Sequence, residues 1–235
     1  MSDVKVMVGI PFSEKPLSMD VFLAWMRLAA TGVDVIAGRG PTPLARHNLA
    51  ASFLANPEFT HLLMLDLDHV HDVDIIARLA RWLDTTPKPK IIGGLNYQRE
   101  APYSPCVFMF QDDSLGTKVV TGYGPGGLIE VDAIGMGCVL IAREVLEAIG
   151  EPYFQFAYVG KRFVGEDIWF CHQAHRAGYK VWCDTTLHSP HQGDHLVSER
   201  QFREWMAANR PNNPEETIDS TIVEEVGRPA CPESL

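Results

Sequence analysis

The sequence predicts an α/β fold, a mostly parallel central sheet flanked by helices with a smaller mixed β region in its second half. Three observations carry this prediction. Short Val-, Ile- and Leu-rich runs recur along the first part of the chain, stretches of helical period separate them, and Gly, Pro or Asp punctuates the junctions. Strands that alternate with helices in this way imply βαβ crossovers, which cover both faces of a sheet.

The elements follow in order. A strand is expected over 4–10, closed by Pro11, after which Ser18 caps an apolar-periodic helix over 19–30. A strand over 33–37 leads through Gly38-Arg39-Gly40-Pro41-Thr42-Pro43 to a helix over 44–54. The unit repeats with a strand over 61–65 and a helix over 72–83, for which Asp72 is the expected N-cap and Asp74 a first-turn partner of the helix dipole. After a Pro-Lys loop, 91–94 reads as another buried strand. The rhythm then changes to turns and short strands such as 106–110, with a Gly-rich loop over 122–127 that lacks the order of a P-loop and reads as a turn or lid. Strands over 131–134 and 138–142 are interrupted at Gly135-Met136-Gly137, and a helix follows over 143–149. Glu166 opens a helix that runs to Ala177 and ends at Gly178, 179–183 is a last strand, and Ser198-Glu199-Arg200-Gln201 is a capping-box pattern at the start of a final helix. The chain reads as one domain over 1–210, divided near 95 into a first half and a second half over 96–195, with a polar tail over 211–235.

At 235 residues and 46% hydrophobic, the chain can bury a substantial core. A net charge of -10 argues against nonspecific adhesion to nucleic acid or anionic membrane and favours a small molecule handled through a cation. Five cysteines without a CxxC pair indicate neither a disulfide framework nor a zinc ribbon, so a reduced cytoplasm is expected. No signal peptide is read at the N-terminus, and no apolar run reaches the roughly 20 residues that span a bilayer, so membrane attachment is expected to be peripheral at most.

The chemistry concentrates at three places. His61-Leu62-Leu63-Met64-Leu65-Asp66-Leu67-Asp68 is an apolar run ending in two carboxylates. In extended backbone Asp66 and Asp68 point the same way, and a divalent cation such as Mg²⁺ or Mn²⁺ would offset their repulsion. Aspartates are also common at strand ends and helix caps, and His69 and His71 are equally read as polar loop residues. Gly165-Glu166-Asp167 places adjacent acids at a helix start, where the dipole alone accommodates them, or where Asp167 serves as a general base. Beyond the last strand lies Asp184-Thr185-Thr186-Leu187-His188-Ser189-Pro190-His191-Gln192-Gly193, where His188 or His191 could complete an oxygen-rich metal site, although histidines in polar loops are commonly just solvated.

Taken in order, these residues resemble the GT-A glycosyltransferases. Leu65-Asp66-Leu67-Asp68 looks like their Asp-x-Asp motif and Gly165-Glu166-Asp167 like their Glu-Asp motif. The run from Asp184 through His191-Gln192-Gly193 is similar to the closing segment whose histidine binds metal. Val131 to Ile141 is similar to the glycine-interrupted strand that precedes the Glu-Asp motif. The likeness is nearest to bacterial and phage proteins related to glycosyltransferase family 2 and spans 4–193.

The resemblance implies a GT-A fold with a nucleotide-binding first half and an acceptor and catalytic second half. It implies Mn²⁺ or Mg²⁺ and a nucleotide-sugar donor, most often a UDP-sugar. Asp68 and His191 would bind the metal directly, and Asp66 would sit nearer the ribose or join through water. Asp167, with Glu166 beside it, would deprotonate the acceptor hydroxyl if the reaction inverts. Arg46 would lie near the nucleotide, the loop after Pro11 would border the base, and Tyr97, Arg99 and Tyr103 would face the donor sugar or acceptor. The acceptor is a glycan, a protein, a metabolite or a modified nucleobase, met in a bacterial cytoplasm or that of a phage host. A second histidine, His188, departs from the family pattern and leaves the ligand open between it and His191. The rivals are a nucleotidyltransferase or metal-dependent phosphohydrolase, which would need more acidic ligands, and a nonenzymatic subunit that binds a nucleotide sugar.

Overall fold

The computed structural model describes residues 4–12, 16–124, 126–193 and 196–209, together with the backbone of Glu225–Val226. Strand β1 (Val6–Phe12) is followed by helix α1 (Met19–Ala29), β2 (Asp34–Arg39), α2 (Thr42–Ala55), β3 (His61–Leu65), a short α3 (Ile75–Ala80) and β4 (Ile91–Leu95). Then come β5 (Val107–Phe110), β6 (Thr117–Val119), β7 (Leu128–Val131), β8 (Ala133–Ile134), β9 (Cys138–Ala142) and α4 (Arg143–Ile149). The hairpin β10 (Ala157–Val159) and β11 (Arg162–Val164) leads into α5 (Glu166–Arg176), β12 (Val181–His188), β13 (His191–Gln192), β14 (Leu196–Val197), α6 (Glu199–Ala208) and β15 (Glu225–Val226).

The main sheet has eight strands in the order β15-β7-β12-β4-β9-β3-β1-β2. It is mixed rather than mostly parallel, which corrects the expectation from the βα rhythm. The block β2-β1-β3 is parallel and so is the pair β4-β12, but β9 runs antiparallel to both β3 and β4. The reason lies in its connection: β9 is reached from β8 through the turn Gly135-Met136-Gly137 rather than through a helical crossover, so it enters the sheet reversed. The expected strand over 131–134 is likewise divided, with β7 in the main sheet and β8 in the small sheet β6-β5-β8.

Burial explains why β3 reads as an unbroken apolar run. Leu62 and Met64 pack with Leu49, Ala50 and Phe53 of α2 on one face, and Leu63 and Leu65 pack with Leu28, Ile75 and Leu79 of α1 and α3 on the other. The caps follow local chemistry. Ser18 accepts from Val21 N at 3.3 Å, and Ser198 forms the complete capping box with Gln201. Gly178 lies just beyond α5 with φ +89°, so the helix end expected there is observed. Cys138, Cys171 and Cys183 are free and buried, and Cys106 is free and partly buried, whereas Cys231 lies outside the described residues. No helix among the described residues is long and apolar enough to cross a membrane. The tail expected over 211–235 falls outside the described residues except for β15, which pairs antiparallel with β7.

The expectations for Asp72 and for the last strand are corrected together, since β12 runs on to His188 rather than ending at 183. Asp72 does not cap a helix, because its carboxylate takes Arg78 Nη1 at 2.9 Å and α3 begins only at Ile75, with Asp74 at the cap position making no side-chain bond. The helix also stops short of 83. Arg81 Nη2 and Trp82 Nε1 both donate to Asp184 Oδ2, at 3.0 and 2.9 Å, while Asp184 Oδ1 accepts from Thr186 N and Oγ1 at 2.9 and 2.6 Å. Asp184 is fully buried within β12, so it is a tie between that strand and the α3 segment rather than part of the chemistry. Asp184→Ala strands a buried indole N–H and a guanidinium, and an unfolding midpoint in urea should report a loss of about 2–4 kcal/mol. A loss below about 0.5 kcal/mol would show that the tie is replaced by solvent.

Candidate active site

The end of β3 is held by its neighbours before any side chain is considered. Asp66 N donates to Gly137 O at 3.0 Å, Val70 N to Pro190 O at 2.9 Å and Gln192 N to Asp68 O at 2.8 Å. The Trp25 indole donates to Leu67 O at 2.9 Å, and His71 Nε2 reaches Asp66 O at 3.0 Å. Burial pushes the His71 imidazole down to about 3, so it is neutral and its Nε2 carries the proton given to that carbonyl. The β3 exit loop and the segment before β13 are thereby laced together.

The two aspartates then part company. Both oxygens of Asp66 accept from Arg46 Nη2, at 2.9 and 3.1 Å. Arg46 is itself buried, and it also pairs through Nε with Glu166 at 3.3 Å and donates through Nη1 to Met136 O at 3.0 Å. Burial alone would raise the Asp66 carboxyl, but the Arg46 guanidinium outweighs it and holds the group below the usual carboxylate range. Asp68 instead meets Arg99 Nη2 at 2.6 Å, His69 Nδ1 at 3.4 Å and His191 Nε2 at 3.5 Å.

Asp68, His69 and His191 form a candidate metal-binding group, with one ligand atom from each within 4.8 Å of the others. The two imidazoles stack at 4.1 Å between ring centres. His69 is 2% exposed, and its Nδ1, though 3.4 Å from the carboxylate, makes no hydrogen bond. Burial lowers the pKa of that ring. A neutral, buried imidazole nitrogen without a hydrogen bond beside a carboxylate fits a cation, and two nitrogens with one oxygen suit a transition ion better than Mg²⁺. Gly137 makes this packing possible, since a Cβ there would lie 2.6 Å from Asn96 Nδ2 and 3.0 Å from His69 Nε2.

His69 had been equally readable as a polar loop residue. Its signal was adjacency to Asp68 in a strand-end loop, which becomes meaningful only once His191 is known to lie opposite. His188 is elsewhere, 3.8 Å from Glu199. Tyr97 is fully buried, its hydroxyl 3.3 Å from that of Tyr123, and it contributes its carbonyl to His191 Nδ1 at 3.0 Å. Tyr103 packs against the core.

Two chambers meet at this point. One of about 410 Å³ is lined by Arg46, His69, Asn96, Tyr97, Cys106, Asp167 and His191 among others, and a smaller one of about 90 Å³ by Pro11, Phe12, Gly40, Thr42, Leu67 and Asp68. Asp66 and Arg99 border both. In the larger chamber Asp167 accepts from Ile168 N at 2.8 Å, and its carboxyl is pushed up to about 6 by burial and by the charge of Glu166. Gly165 serves this carboxylate rather than a ligand, because a Cβ there would stand 2.8 Å from Asp167 Oδ1. The adjacent acids therefore divide their duties: Glu166 pairs with Arg46, and Asp167 is left poised near neutrality.

No family model matches the chain, and no curated protein matches it. Among solved structures, A197 from STIV superposes with a TM-score of 0.61 at 19% identity, over 84% of this chain and 92% of that one. The chain shares its fold. The 4-diphosphocytidyl-2C-methyl-D-erythritol synthase of Anaerococcus prevotii follows at 0.45 and 9% identity, over 88% of this chain and 97% of that one, a similarity too low to bear on the assignment.

The raised Asp167 has a stability consequence. A carboxyl with a higher pKa folded than unfolded is more readily protonated in the native state, so its ionisation destabilises the fold progressively from about pH 4 to above 6. Asp167→Asn should therefore melt above wild type at about pH 8, with the gap narrowing by about pH 4, in thermal unfolding scans. A gap that does not change with pH would show that Asp167 carries no such penalty.

Proposed function

We propose that this protein is a Mn²⁺-dependent glycosyltransferase of GT-A type, similar to family 2, that moves a sugar from a nucleotide sugar, a UDP-sugar by resemblance, to an acceptor hydroxyl. The observation that supports this most is that His69 and His191 of the candidate metal group line the same chamber as a carboxyl lifted to about 6, Asp167, while Asp68, the third member, lines the adjoining smaller chamber. A pKa near neutrality suits a general base that must be ionised yet still accept a proton.

Asp68, His69 and His191 would hold the ion. When bound, it supplies positive charge to the departing diphosphate oxygens. The chain's own residues account for the rest. Pro11, Phe12, Gly40 and Thr42 border the smaller chamber, where the nucleoside would enter past the strand ends. Asp167 takes the proton of the acceptor hydroxyl as its oxygen bonds to the anomeric carbon. The bond from that carbon to the phosphate oxygen breaks, and its electron pair leaves with the nucleoside diphosphate. The charge of Glu166, itself tied to Arg46, helps keep Asp167 basic.

Thermal stabilisation by UDP and UDP-sugars, with and without Mn²⁺, tests the first half of the proposal. Asp68→Asn should lose the Mn²⁺-dependent part of that stabilisation. Asp167→Asn should keep it while transfer, or slow release of UDP from the donor, falls by about 10²-fold or more. Wild-type kcat/KM should rise with pH through about 6. Absence of any Mn²⁺-dependent stabilisation by a nucleoside diphosphate would sink the proposal, and release of pyrophosphate from a nucleoside triphosphate would replace it with nucleotidyl transfer.

A further inference from the structure

We infer that Arg99 is an internal cation at the metal centre, which a divalent ion must displace, and that the displaced guanidinium then becomes a ligand for the donor's diphosphate. The second half rests on the function proposed above, and the first stands without it. Arg99 donates through Nη2 to Asp68 Oδ2 at 2.6 Å and through Nε to His191 Nε2 at 2.7 Å. It therefore holds two of the three members of the candidate metal group. The contact with His191 is exclusive. His191 Nδ1 lies 3.0 Å from Tyr97 O, a carbonyl that can only accept, so Nδ1 carries the proton and Nε2 presents its single lone pair to Arg99. A metal ion bound to His191 needs that same lone pair, and ion and guanidinium cannot both have it.

The surroundings suit an exchange. The backbone about Arg99 is anchored on either side by Gln98 N to Ser104 O at 2.9 Å and Cys106 N to Asn96 O at 2.9 Å. The Arg99 side chain is 41% exposed and is free to move without unpacking the core. It also borders both chambers, so a short swing away from His191 leaves it between them. A guanidinium offers a planar fork of donors that matches a phosphate, and a diphosphate bridging the two chambers would meet it there. Metal and diphosphate would then favour each other's binding reciprocally, because the ion frees the group that the phosphate uses.

The test begins with Mn²⁺ alone, counted as free ion by electron paramagnetic resonance, on wild type, Arg99→Gln and Arg99→Lys. Arg99→Gln should bind Mn²⁺ about five- to ten-fold more tightly than wild type, the scale of a partly exposed charge-assisted contact. Arg99→Lys keeps the charge but carries its donors on one nitrogen in place of the two that Arg99 directs separately at His191 and Asp68, and it should gain part of that increase. In wild type, the Arg99 Nε–H resonance should shift as Mg²⁺ is added, with the same midpoint as binding. Equal or weaker Mn²⁺ affinity in Arg99→Gln, affinity in Arg99→Lys identical to wild type, an Nε–H signal indifferent to bound ion, or a wild type that binds neither ion would each overturn the displacement. At saturating Mn²⁺, UDP should bind Arg99→Gln about ten-fold more weakly than wild type. An unchanged UDP affinity would overturn the second half. If UDP binds neither protein, glycosyl transfer fails as the function, whereas the Mn²⁺ measurements still decide the displacement.

Discussion

One buried cation organises the centre of the molecule. Arg46 rises from α2, grips both oxygens of Asp66 at the end of β3, reaches Glu166 at the start of α5 and donates to Met136 O in the turn before β9. Three other pieces of chain are brought to one guanidinium. A planar fork with fixed donors can satisfy such an arrangement, whereas the point charge of a lysine cannot. The pairing is obligatory in both directions, since a buried carboxylate or guanidinium left alone costs about 3–5 kcal/mol. The position of α5, and with it Asp167, thus depends on a contact made from α2, which shares a core cluster with it.

That contact also determines what the neighbouring acids can do. Asp66, drawn to Arg46, is ionised and occupied, which leaves Asp68 as the carboxylate beside the imidazoles. Glu166 pairs with the same guanidinium, and its charge adds to burial in lifting Asp167 to about 6. A single arginine therefore produces one carboxylate for structure, one for a cation and one near neutrality. Substituting Arg46 would alter all of these at once, so its effects could not be apportioned to any one residue.

Much of this was legible in the sequence, for identifiable reasons. The β3 run with Asp66 and Asp68, the Ser18 and Ser198 caps and the Gly178 stop are encoded within a few residues, and the structure places them where periodicity and cap chemistry do. The features that escaped depend on partners distant in the chain. Antiparallel β9 is a matter of which strands it joins, and its own apolar pattern is the same in either direction. Asp72 was assigned by position as an N-cap, whereas its carboxylate is claimed by Arg78. His69 belongs beside Asp68 only because a segment more than a hundred residues later brings His191 to a stacking distance.

The inserted β9 also explains why the candidate centre is placed where it is. The parallel block β2-β1-β3 supplies Asp68 and His69, and the parallel pair β4-β12 leads to Arg99 and His191. Only β9 stands between β3 and β4, so the C-terminal ends of the two blocks open onto a common edge. At that edge the blocks are tied by backbone bonds from Val70 to Pro190 and from Gln192 to Asp68 and by the charges around Asp68. Whatever binds Asp68 and His191 together bridges the two blocks, and its binding free energy adds to the stability of the assembled sheet. A reversed strand, which looks like an interruption of the α/β pattern, is thus what sets the C-terminal ends of β3 and β4 on one edge, where Asp68 and His191 meet.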